Sequence, residues 1–113
     1  MKREHEDLLR RLTLNDEAAI ESLIGTAVGD PDIAELDAKT RALVRLAALI
    51  ALDSAAASYQ WSIASALAAG ATDGEVVGVL VALAPIVGAV RVSAAAPEVA
   101  LGIGCDLAAL GGG

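Results

Sequence analysis

At 113 residues the chain is long enough for one domain and too short for two cores of stable size. Its formal net charge of −7 argues against nucleic acid as a partner, because phosphate contacts need clustered Lys and Arg. Hydrophobic residues make up 56% and aromatics only 2%, so Ala, Val, Leu and Gly carry the apolar bulk, and the pattern predicts an all-α domain of closely packed helices.

Leu8, Leu9 and Leu12 form a short apolar stripe in a charged opening helix. A second helix begins at Asn15 or Asp16, either of which can accept from free first-turn N–H groups. Its buried face is expected at Ile20, Leu23, Ile24 and Ala27, and Gly29-Asp30-Pro31-Asp32 then makes a turn. Asp37 is the expected cap of a third helix. Leu43, Leu46, Ala47 and Ile50 line its inner face, with Lys39, Arg41 and Arg45 on the polar side. This helix loosens near Asp53-Ser54, and a fourth runs from Ala55 to Ala69.

Gly70-Ala71-Thr72-Asp73-Gly74-Glu75 is the sharpest local signal. Gly70 can take the left-handed conformation that ends a helix, and Thr72 with Glu75 has the spacing of a capping box. The fifth helix is apolar nearly all round (Val76, Val77, Val79, Leu80, Val81, Leu83), which predicts burial on several sides, and Pro85 should kink or divide it. A last helix is expected to begin at Pro97, with Glu98 near its positive end, before a frayed Gly111-Gly112-Gly113 tail.

So apolar a chain leaves helix faces uncovered, and such faces mark interfaces. The uncharged run Val76 to Val90 is shorter than the roughly 20 residues that span a bilayer and contains Pro85. Leu46 to Leu67 is broken by Asp53, Ser54, Ser58 and Gln60. A membrane hairpin, or a plain assembly module without a pocket, is the rival reading; burial in a homo-oligomer is the expectation. The opening Met1 to Asp7 lacks the apolar stretch of a signal peptide, and one cysteine, Cys105, excludes an intrachain disulfide. The expected location is the cytoplasm.

Three segments occur in a telling order: Lys39-Thr40-Arg41-Ala42-Leu43-Val44, then Ala66-Leu67-Ala68-Ala69-Gly70-Ala71-Thr72 with Glu75, then Ala84-Pro85-Ile86-Val87-Gly88. The set, covering Leu36 to Ala96, resembles the carboxymuconolactone decarboxylase and alkylhydroperoxidase D (AhpD-like) family. The resemblance implies an all-α bundle of roughly six helices, with a helix–turn–helix core packed into trimers, or hexamers of paired subunits. On this reading residues 1–113 are one domain, with charged helices over 1–30, the family-like core over 36–96, and a C-terminal helix and tail over 97–113. The family's active site lies where the helices around the mid-chain junction meet a neighbouring subunit. Its peroxidase branch uses a Cys-x-x-Cys pair, a following His and an upstream Glu; its decarboxylase branch relies on the His. By this resemblance the His falls at Ser62, the cysteines at Ser58 and Ala55, and the Glu near Ala42, so none of these groups is present.

The remaining residues set out what chemistry is possible. Thiol peroxidation needs an attacking and a resolving thiol, and Cys105 is alone. His5 is the one histidine and reads as a surface residue; without a His/Cys cluster no metal or other cofactor is expected. Asp53, between apolar segments, is a candidate base if burial raises its pKa, or simply a helix cap. Ser58 and Ser62 share a helix face and are candidates for catalysis or ligand binding, or small residues at a tight contact. Trp61 is a candidate pocket wall or interface anchor, and Arg91 a candidate holder of a ligand carboxylate, or an ion-pair partner of Glu75, Glu98 or Asp106. The functional expectation is a homo-oligomer binding a small molecule, without the family's usual chemistry; the alternative is an enzyme using Asp53, Ser58 and Ser62 as substitutes.

Overall fold

The computed structural model describes residues 2–25 and 35–105. Among them lie six α-helices and no strand: α1 (Arg3–Thr13), α2 (Glu17–Ile24), α3 (Ala38–Ala51), α4 (Ala56–Ala68), α5 (Asp73–Val87) and α6 (Ala89–Gly102). The all-α expectation holds. Contacts group the chain into two units, Met1–Asp37 and Ala38–Gly113.

In the first unit, α1 carries Glu4 and Glu6 in its first turn and Arg10 and Arg11 in its last, which matches the helix dipole at both ends. Lys2 pairs with Glu35, and Arg11 Nε lies 3.3 Å from Asp7 Oδ2. The Asp16 side chain accepts from the Ala19 N–H and caps α2, while Asn15 turns the chain at φ 57°. The apolar face expected on α2 is not buried. Leu23 and Ile24 are exposed, Ile20 is half-buried and only Ala19 is buried. A helix of 8 residues has too little length to build a covered stripe. Ala27, the turn at Gly29 to Asp32, and the glycine tail lie outside the described residues.

The hydrophobic core belongs to the second unit. Ala42, Leu46 and Ile50 recur every fourth residue on α3 and meet Tyr59, Ile63 and Ala66 of α4, Val76 of α5, and Ala95 and Val99 of α6. Packing runs α3 on α4, α4 on α6, α6 on α5 and α5 on α3, so the four helices close a ring. Leu43 and Ala47 are half-buried at its edge. α3 starts directly after Asp37, and the α3–α4 turn is made by Asp53 at φ 55°, a left-handed conformation that Asp tolerates better than most residues. Gly70 takes φ 101°, and Thr72 and Glu75 form the expected capping box.

Three expectations for the later helices are corrected. α5 is not buried on several sides: Val76 is its one buried residue, whereas Val77, Val81 and Ile86 are exposed, because only one face of α5 meets the ring. Nor does Pro97 start the last helix; it lies inside α6, which begins at Ala89. The break falls at Gly88, whose φ of 86° suits glycine, not at Pro85, which sits in the last turn of α5 where the helix is ending anyway. Pro97 is tolerated because it and Ser93 lie on the exposed face, where water can serve the carbonyl that loses its donor. Among the described residues no helix is long and apolar enough to cross a membrane.

Candidate functional site

The turn at Asp53 lays the first half of α4 against the second half of α3. Spacings of three and four then bring Arg45, Ala48 and Leu49 of α3 opposite Ala57, Ser58, Trp61 and Ser62 of α4. Between them is an open groove of about 510 Å³. Its wall is mostly apolar, with one cation, two hydroxyls and one indole. Trp61 is 60% exposed and stands at the edge, whereas Ser62 is 1% exposed and forms the floor.

The Ser62 hydroxyl carries the most information. Its Oγ is buried and has no hydrogen-bond partner. A helical serine ordinarily bonds back to a carbonyl one turn earlier, and here it does not. An unpaired buried hydroxyl costs about 1–3 kcal/mol, so the groove floor holds an unmet demand for a polar atom.

Tyr59 and Gln60 of α4 do not line the groove. Tyr59 is buried in the core, where burial foremost, and then the Asp53 charge, raise its phenol pKa above the ordinary 10.0. The Gln60 Nε2–H donates to the Glu98 carbonyl at 2.8 Å and lies 3.3 Å from Glu98 Oε2, tying α4 to α6. Glu98 is therefore held mid-helix, away from the helix start expected for it.

Of the residues singled out from sequence, Ser58, Trp61 and Ser62 come together. Arg91 does not: it is exposed on α6 and absent from the groove lining. Of its expected partners, Glu75 pairs with Lys39 at 3.0 Å, Glu98 receives Gln60, and Asp106 lies outside the described residues. Asp53 is exposed in the α3–α4 turn and does not line the groove, so the apolar burial expected for it is not found; the residue sits at an end of the bundle, facing water. Cys105 is half-buried and unpaired, and His5, half-buried, belongs to the first unit. Among the described residues no His, Cys, Asp and Glu side chains gather in a metal-binding group.

Sequence reasoning missed Arg45, Ala48, Leu49 and Ala57. Arg45 is half-buried and not simply on the polar side of α3 with Lys39 and Arg41, and its spacing of three and four from Ala48 and Leu49 is the signal in the sequence. A hollow of about 850 Å³ along Lys2, Arg3, Glu4, Glu6, Asp7 and Arg10 is larger, but every one of its walls comes from one exposed helix start, and it encloses nothing.

Residues 18–100 match the family model described as carboxymuconolactone decarboxylase family. The chain belongs to this family. No match was found among curated proteins or among solved structures. Two positions to which the resemblance assigns the carboxymuconolactone decarboxylase family's reactive groups, Ser58 and Ser62, line the groove. Ala55 stands at the N-cap of α4, and Ala42, near which the resemblance implies the upstream Glu, is buried in the core.

Proposed function

We propose that this protein is a chemically altered member of the carboxymuconolactone decarboxylase family, a homo-oligomer that binds a small molecule in the α3–α4 groove. It runs neither thiol peroxidation nor His-dependent decarboxylation. The observation that carries the reading is the buried Ser62 hydroxyl, left without a partner on the groove floor. A ligand oxygen or nitrogen supplies what that hydroxyl lacks, and Leu49, Ala48 and Trp61 supply an apolar wall for the rest of it.

The absent groups support the loss of chemistry. Ala55 and Ser58 hold no thiol, Ser62 no imidazole, and no carboxylate lines the groove to act as a base for either serine. Self-association is supported by exposed apolar side chains on the helices of the ring, among them Val44 of α3, Trp61 of α4, Val77, Val81 and Ile86 of α5, and Val90 and Leu101 of α6. A trimer or hexamer is the assembly the family resemblance implies, and the cytoplasm remains the location in this reading.

The test pairs a thiol-dependent peroxidase assay with a lactone decarboxylation assay on the purified protein. Both should show no turnover above buffer, and appreciable rates in either defeat the proposal.

A further inference from the structure

Charge and hydrogen-bonding capacity are distributed unevenly around the groove. Arg45 is its one charged lining residue, and no ion pair joins Arg45 to an acidic group among the described residues. The buried Ser62 hydroxyl adds a free donor. At the start of α4, Ala55 makes no side-chain cap, and the N–H of the lining residue Ser58 is taken by the Ala55 carbonyl at 2.9 Å.

We propose that the groove takes a small organic monocarboxylate with an apolar body, and that Arg45 sets the selectivity for its charge. This rests on the reading of the groove as a ligand site. A guanidinium gives a carboxylate two parallel charge-assisted hydrogen bonds, and Ser62 offers a further donor to the same anion. The apolar body lies along Leu49 and Trp61. A second carboxylate meets no second cation and faces those apolar side chains, where an unpaired charge is costly. A neutral analogue leaves Arg45 without its counter-charge.

Trp61 is the chain's one tryptophan and lines the groove, so its emission reports occupancy directly. Hexanoate, hexanamide and adipate are titrated into the full-length protein and into Arg45→Gln. Hexanoate is expected to bind about tenfold or more tighter than either other probe, and Arg45→Gln should abolish that preference while leaving hexanamide unchanged. Equal binding of hexanoate and hexanamide, or adipate matching hexanoate, overturns the monocarboxylate assignment and leaves the groove reading intact. If no probe perturbs Trp61 at millimolar concentration, the assignment falls and the groove reading falls with it. Should Arg45→Gln fail to fold, the three-probe comparison on the unaltered protein decides alone.

Discussion

Glu75 holds two helices with one carboxylate. Its Oε1 accepts the Thr72 N–H at 2.9 Å, while its Oε2 lies 3.0 Å from the Lys39 ammonium on α3. The Thr72 hydroxyl completes the box by accepting the Glu75 N–H at 3.0 Å. The start of α5 is therefore fixed both locally and against the first turn of α3, the helix that carries Arg45 into the groove.

Thr72→Ala removes the cap and is expected to cost about 1 kcal/mol of stability, read from urea denaturation followed by circular dichroism. The same box gives a pH dependence. The Thr72 backbone bond first, and then the Lys39 hydrogen bond, hold the Glu75 carboxyl below its ordinary 4.5. A depressed folded-state pKa means that this contribution is fully present above the ordinary value and is lost as pH falls through the lowered one. Acid unfolding of Glu75→Gln, which removes the titrating carboxyl, should show a weaker dependence in that window than the parent, and identical acid profiles contradict the assignment.

Tyr59 predicts the alkaline limb. Its phenol is held neutral by burial and by the Asp53 charge, with its pKa raised above 10.0. Stability tied to it is present below the ordinary value and lost as pH rises through the raised one. As the chain has one tyrosine, absorbance of the tyrosinate isolates this group. Titration at or below 10 shows the phenol to be solvated.

Gly102 lets α6 approach α4. A Cβ placed there meets Ile63 Cδ1 at 2.7 Å and Gln60 Oε1 at 3.0 Å, and Ile63 is fully buried, with little room to yield. Gly102→Ala is expected to destabilise by about 1–3 kcal/mol through overpacking. Ile63→Val removes the closest atom, so in a double-mutant cycle the pair should cost less than the sum of the two changes. Additive costs contradict the clash.

Ser62→Ala separates stability from binding. Deleting an unpaired buried hydroxyl should leave the unliganded protein as stable as before, or more stable by about 1 kcal/mol. The same change should weaken hexanoate binding to the groove. A clear fall in the unfolding midpoint shows that the hydroxyl has a structural partner after all.

The apolar side of α5 and α6 predicts association. Val81 is 69% exposed, and Val81→Glu places a charge among the exposed apolar side chains of α5. Sedimentation velocity should find the unaltered protein as an oligomer and the variant shifted toward smaller species. An unaltered protein that sediments as a monomer removes the homo-oligomer from the proposed function.

Local chemistry made much of this protein legible before any coordinates. The capping box at Thr72 and Glu75, the helix end at Gly70, a cap at Asn15 or Asp16 and the Leu46–Ile50 stripe depend on neighbours within one turn, and short-range patterns carry that information. Arg91 and Asp53 show where it ends. Their sequence neighbours point to a site, yet both lie outside the groove, since helix packing and the turn at φ 55° decide what faces it.

Sequence by itself therefore determined the helices, most of their ends, and the family. Only the tertiary structure decided that Arg45 joins Ser58, Trp61 and Ser62, that the Ser62 hydroxyl is buried without a partner, and that α5 keeps an uncovered face. The physical reason is range. A cap or a periodic stripe is settled by hydrogen bonds and spacings within a few residues, whereas a groove is the space left between two helices after their apolar stripes have packed.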